Sequence, residues 1–159
     1  MLKGSKIKPF LWFETQAEEA AKFYTSIFKR SKLGKVVRYP KGSPGPEGKV
    51  MTAEFTLEGQ PFVALNGGPL YKFNEAVSFV VECKDQDEID YYWERLLAGG
   101  GKPVQCGWLK DRYGLSWQVN PAWLGKVYSG KDKAKAERVM RAMLPMIKLD
   151  LKKLQEAAK

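Results

Sequence analysis

A pattern of strand, helix and hairpin signals runs through this chain twice, and few folds accept such a repeat. In the first pass, Ile7 to Phe13 reads as a short apolar strand. Gln16 to Phe28 reads as a helix, with Ala20, Phe23, Tyr24 and Ile27 at helical spacing and Thr15 as its N-cap. Leu33 to Tyr39 is strand-like, and Pro40 to Gly48, rich in proline and glycine, is a loop. Val50 to Leu57 alternates apolar with polar residues and turns at Glu58-Gly59 into Phe62–Asn66, a hairpin. The pattern then restarts. Ala76 to Glu82 is an apolar strand, and Asp85 to Ala98 a helix with an acidic first turn, as the helix dipole favours. Gly99-Gly100-Gly101 ends that helix, and Val104–Lys110 and Leu115–Asn120 form a second hairpin through Arg112-Tyr113-Gly114.

The two passes overlay. Phe13 precedes Phe23 by ten residues and Val81 precedes Tyr91 by ten, an offset of 68, while aligning Asn66 with Asn120 sets the hairpins 54 apart. The longer first-unit linker around residues 40–48 absorbs the difference. The fold class that follows is α+β, with two tandem βαβββ units. Beyond them, Pro121–Tyr128, Asp132–Leu144 and Leu151–Ala158 read as helices, Pro145 stopping the second and Asp150 capping the third. At 159 residues the chain is expected to form one domain: unit one about 6–70, unit two about 74–122, and a helical extension about 123–159.

Composition narrows the function classes. The net charge of +9 is concentrated at the C-terminus, where residues 131–159 hold nine Lys or Arg against four Asp or Glu. That segment is amphipathic, with Ala136, Val139, Met140 and Met143 on one face, so its charges read as a solvated surface. No nucleic-acid motif accompanies them, and no nucleic-acid partner is expected. No apolar run approaches the about 20 residues that span a bilayer, so no membrane partner is expected either. Met1-Leu2-Lys3-Gly4-Ser5 runs straight into strand-like sequence and reads as carrying no signal peptide. Cys83 and Cys106 are too few for a disulfide framework, and a reduced, cytoplasmic setting is the economical reading.

Particular stretches carry a family likeness: Pro9-Phe10-Leu11-Trp12-Phe13, Glu18-Glu19-Ala20-Ala21-Lys22-Phe23-Tyr24, Phe62-Val63-Ala64-Leu65-Asn66-Gly67-Gly68-Pro69, and the run from Cys106 to Gln118. Together with the duplicated units they resemble the PhnB-like branch of the vicinal oxygen chelate (glyoxalase, bleomycin-resistance, dioxygenase) superfamily. Members of that branch often carry the label 3-demethylubiquinone-9 3-methyltransferase. The likeness is read as covering nearly the whole chain, including Lys148-Leu149-Asp150. It implies that the eight strands curl into an open, barrel-like mixed sheet around a cavity between the units. It also implies up to four metal ligands from the first and last strand of each unit. Carried over by the repeat, those positions fall on Lys8, Ala64, Ala76 and Gln118, which cannot hold a transition metal. The chain has no histidine at all, so the expectation is no metal and no cofactor. The methyltransferase label finds no glycine-rich nucleotide loop after either first strand.

Strand alternation then assigns side chains. Phe10, Trp12, Phe62, Ala64, Asn66, Ser78, Val80, Ser116 and Gln118 are expected to face the cavity, with Trp108 beside it. They line a pocket for a small organic molecule or fill the hollow as a second core. Glu54 interrupts an apolar register and is the candidate catalytic residue, a general base in a lyase, isomerase or hydrolase if the hollow desolvates it; the simpler role is an ion pair with Lys8 or another basic residue. Asn66 and Gln118 would polarise a carbonyl in such an enzyme. Cys106 lacks a histidine to activate it and reads as structural. The favoured function is metal-independent binding of a small organic ligand by a homodimer. A protein-interaction module working through the basic C-terminal helices is the third possibility.

Overall fold

A computed structural model describes residues 6–159, so the reading of Met1–Ser5 lies outside the described residues. The chain divides into two compact units, the first ending at Phe73 and the second running from Asn74 to Lys159. No helix among the described residues is long and apolar enough to cross a membrane.

The first unit contains β1 (Phe10–Phe13), α1 (Ala17–Ile27), β2 (Lys32–Arg38), β3 (Val50–Leu57) and β4 (Gln60–Asn66). Its strands lie in the order β1-β4-β3-β2, with β1 and β4 parallel and the remaining pairs antiparallel. Helix α1 buries Ala17, Ala20, Ala21, Tyr24 and Ile27, and packs on β3 and β4. Alanines on this stripe let the helix approach closely, which leaves room for a column of rings. Phe55 lies between Tyr24 and Phe62, with ring centroids 6.0 and 5.2 Å away.

Thr15 does not cap α1. The cap position is Gln16, which makes no side-chain cap bond; the amide of Ala17 instead donates to Asn66 Oδ1 at 2.7 Å. A residue 49 positions away thus satisfies a first-turn donor that would otherwise need water.

The second unit contains β5 (Ser78–Cys83), α2 (Gln86–Leu97), β6 (Lys102–Pro103), β7 (Trp108–Lys110) and β8 (Ser116–Pro121), in the order β5-β8-β7-β6. Here too the first and last strands pair in parallel. The α+β class with two mixed four-stranded sheets is therefore observed. Asp85 caps α2, accepting from Glu88 N at 3.0 Å. Ile89, Tyr92, Trp93 and Leu96 form its buried stripe.

The expected strand Val104–Lys110 is broken. Val104 N donates to Trp108 O, and Cys106 and Gly107 take positive φ of 58° and 80°. Two successive left-handed residues cannot continue a strand, so only residues 108–110 remain in the ladder.

That turn receives the C-terminal extension: α3 (Trp123–Tyr128), α4 (Lys133–Met143) and α5 (Leu151–Ala157). Cys106 N and Gly107 N donate to Met146 O and Ile147 O at 2.7 and 2.8 Å. The Gln86 side chain grips the same segment in both senses, donating to Leu149 O and accepting from Leu151 N. The helices share a core of Leu124, Val127, Val139, Leu149 and Leu154. Asp132 and Asp150 cap α4 and α5 through Lys135 N and Lys153 N.

The two thiols differ. Cys83 is fully buried, and burial, with Glu88 and Asp85 adding to it, pushes its thiol up to about 12. Cys106 is half-buried, its Sγ 3.5 Å from Leu144 O. Native protein is expected to titrate with one equivalent of a disulfide reagent at pH 8, and with two after denaturation; rapid labelling of Cys83 in the native state would contradict this. Because the folded value lies above the unfolded one, Cys83 supports the fold fully below pH about 9. That support fades as pH climbs from there towards about 12.

Candidate functional site

Each sheet has one face against its helix and one face free of it. In the second unit the helix-free face carries Ser78 and Val80 from β5, Trp108 and Lys110 from β7, and Ser116, Gln118 and Asn120 from β8. Register places Ser78 beside Ser116, Val80 beside Gln118, and Trp108 across from Gln118 on its other side. The alternation read from the sequence holds in this sheet: Val81, Leu109, Trp117 and Val119 are all buried on the opposite face.

The polar groups on this face form a partial chain. Gln118 Nε2 donates to Ser78 Oγ at 2.9 Å, and Asn120 Nδ2 reaches Gln118 Oε1 at 3.4 Å. At its ends, Ser116 Oγ and Asn120 Oδ1 are buried without a hydrogen-bond partner among the described residues. Ser116 is only 1% exposed. Lys110 pairs with Glu75, and Trp108 is half-buried beside Gln118.

The first unit departs from the expected facing. β1 holds its phase, with Leu11 and Phe13 buried, Phe10 58% exposed and Trp12 between. Trp12 Nε1 donates to Gly68 O at 2.9 Å, and its ring lies so close over Gly67 that a Cβ there would come within 2.2 Å. In β4 the phase is inverted. Phe62 and Ala64 pair with Phe55 and Ala53, and all four are buried on the α1 side. Val63 and Leu65 take the helix-free face instead. Phe62 is therefore a core residue, not a cavity residue.

Asn66 is committed to the fold. Its Oδ1 accepts from Ala17 N and its Nδ2 donates to Val50 O at 3.0 Å, so both ends of its amide are tied to backbone of the first unit. Glu54 sits across from Val63 on the helix-free face and is exposed. It is not enclosed by apolar surface, which the general-base reading required.

The register also corrects the metal positions. Gln118 lies on the helix-free face and Ala64 is buried on the helix side, so the counterparts of Gln118 by face are Val63 and Leu65, not Ala64. Valine and leucine are no better suited to a transition metal than alanine. Among the described residues no three Cys, Asp or Glu side chains gather into a metal-binding set. The residues present do not fit the family's metal.

The turn that aims this face was undervalued. Asp111 is 3% exposed; its Oδ1 accepts from Tyr113 N and Leu115 N, and its Oδ2 from Trp117 Nε1 at 2.9 Å. A lone aspartate three residues before a turn glycine, followed by alternating apolar residues, was the available signal.

A family model described as 3-demethylubiquinone-9 3-methyltransferase matches residues 5–120. A PhnB protein from Bacillus cereus carrying the same methyltransferase description is 39% identical, covering 72% of this chain and 98% of its own, with a TM-score of 0.64. A Pseudomonas aeruginosa protein is 22% identical, with coverage of 74% and 98% and a TM-score of 0.60. The fosfomycin resistance protein FosX of Mesorhizobium loti is 13% identical, with coverage of 75% and 91% and a TM-score of 0.53. The last two show the fold alone. No curated protein matches the chain. The family match stops at residue 120, so the likeness does not extend to Lys148-Leu149-Asp150 as expected from sequence. With its fold and its matched residues in agreement, the chain belongs to the 3-demethylubiquinone-9 3-methyltransferase family, the PhnB-like branch of the vicinal oxygen chelate superfamily.

Proposed function

We propose that this protein binds a small, partly aromatic organic molecule without a metal, on the helix-free face of the second unit's sheet. The observation that carries the reading is the row of accessible groups on that face: Trp108 and Gln118, both half-buried, stand side by side, with exposed Val80 on the other side of Gln118. Trp108 supplies a ring to stack on, Val80 an apolar contact, and the Gln118–Ser78 pair a fixed polar floor. Phe10 and Trp12 are the aromatic residues of the first unit's own helix-free face, beside Val63 and Leu65. Asn66 and Phe62 do not belong to the site, because both serve the fold.

A homodimer in the cytoplasm completes the proposal, supported by the exposed apolar side chains Leu70 and Tyr71 in the first unit and Leu144 and Ile147 in the second. Native mass spectrometry of protein purified without a histidine tag tests both points. The expected result is a dimer carrying a small organic mass that disappears in Trp108→Ala and Gln118→Ala. A stoichiometric divalent metal, or an organic mass retained by the double variant, would refute the site. Glu54→Gln is expected to leave the retained mass unchanged.

A further inference from the structure

A cleft of about 700 Å³ opens within the first unit, between the start of α1, the 39–49 loop and the end of β4. Its size is that of an ordinary small-molecule site. The cleft is preformed. Tyr39 N donates to Lys49 O and Gly48 N to Tyr39 O, both at 2.9 Å, which closes the loop on itself. The Tyr39 ring lies across Gly45, where a Cβ would come within 2.3 Å of it. Its hydroxyl donates to Asn66 O at 2.5 Å, which pins the loop to β4.

The charges that line the cleft are unequal in their commitments. Glu14 pairs with Lys72 at 3.1 Å and Glu18 with Lys22 at 2.7 Å. The Lys22 hydrogen bond and charge hold the Glu18 carboxyl below the usual range, with Arg38 the smallest contributor. Among the described residues Arg38 and Lys49 have no acid within ion-pair distance; Arg38 Nη1 donates only to Gly48 O, at 3.0 Å. Both acids are thus neutralised by lysines and both loop-side cations remain available. Beside those cations stand Tyr39, Pro44 and Val50, an apolar wall. The helix start adds little for an anion, since Glu18 and Glu19 already occupy its first turn.

We propose that this cleft binds a small carboxylate with a compact apolar body, its charge between Arg38 and Lys49 and its body against Tyr39, Pro44 and Val50. Arg38 offers the planar donor pair that suits a carboxylate, and Lys49 a second, mobile charge. The site is separate from the one under "Proposed function" and stands or falls without it.

The test is an NMR titration of the full chain with benzoate at low ionic strength, against neutral benzamide of the same shape. Saturable shifts are expected at the amides of Tyr39, Gly45, Val50 and Gly67 with benzoate, and not with benzamide at equal concentration. Added salt should weaken them. Arg38→Gln and Lys49→Gln, both at exposed positions, should each raise the dissociation constant by about tenfold, the worth of one charge-assisted hydrogen bond. Inorganic phosphate, lacking an apolar body, should displace benzoate poorly. Four results would overturn the proposal: no saturable shifts at those amides, benzamide matching benzoate, unchanged binding by both variants, or phosphate competing equally. The comparison of benzoate with benzamide uses the unaltered protein and decides the matter even if a variant fails to fold.

Discussion

Replacing Phe62 with alanine is expected to cost about 3–5 kcal/mol of stability while leaving ligand binding by the folded protein unchanged. The ring is 5% exposed and stacks on Phe55, which stacks in turn on Tyr24 of α1. Deleting it removes the outer ring of a three-ring column and opens a cavity under a helix whose other contacts are mostly alanine. Alanines cannot reach into such a gap, so the site relaxes little and the loss falls in the upper part of the range seen for large-to-small core changes. Aromatic pairing adds about 0.5–1.5 kcal/mol beyond area burial, and that is lost as well. Trp108→Ala should do the reverse, costing little stability and abolishing retention of the ligand, because Trp108 stands on the face with no helix against it. Urea denaturation followed by circular dichroism separates the two. A Phe62→Ala midpoint within about 0.5 kcal/mol of the parent, joined to weakened binding, would return Phe62 to the site.

Why the sequence misplaced Phe62 is a matter of parity. Side chains alternate along a strand, so an alignment error of one residue moves every residue to the other face. Asn66 and Asn120 are chemically alike and suggest an offset of 54 between the hairpins. The ladders require an odd offset for β4 against β8, since Phe62 and Ala64 are buried on the helix side as Trp117 and Val119 are. Gly59 and Gly114, both at φ of 85°, lie 55 apart and give the right parity. Turn glycines at positive φ are set by backbone geometry, whereas asparagine serves many purposes, and Asn66 serves one that its apparent counterpart does not: it caps α1. The second unit was legible because its alternation could be read directly from Val81, Trp117 and Val119 without borrowing the overlay.

Other features were invisible for different reasons. The positive φ of Cys106 follows from the extension that its amide holds, a contact spanning about forty residues that no local pattern reports. The orphaned Ser116 Oγ and Asn120 Oδ1 depend on what neighbouring strands fail to supply, which periodicity cannot express. By contrast the lack of histidine is read by counting and does not depend on register.

Asp111→Ala is expected to lose about 3 kcal/mol or more and to loosen the whole face that carries Trp108 and Gln118. Asp111 joins β7 to β8 through three donors at once: the amides of Tyr113 and Leu115 and the indole of Trp117. Two of these bonds lie in buried surroundings, so alanine leaves donors that water cannot easily reach, at about 1–3 kcal/mol each. Asp111→Asn separates charge from geometry. Its Oδ1 can still accept from both amides, but its NH2 then faces the indole N–H, donor against donor, so a smaller loss is expected. The order parent, asparagine, alanine should appear in denaturation midpoints. It should also appear in the near-ultraviolet dichroism of Trp117, which is 3% exposed and tilted against Phe79 at 5.5 Å. Binding should follow the same order, because β7 is only three residues long and this turn fixes its end of the ladder against β8. An alanine variant as stable as the parent would mean that the turn holds through Asp111 N to Leu115 O and Gly114 N to Asp111 O alone. The carboxylate would then be free of the structural role assigned to it, and its place beneath the proposed site would need a functional explanation.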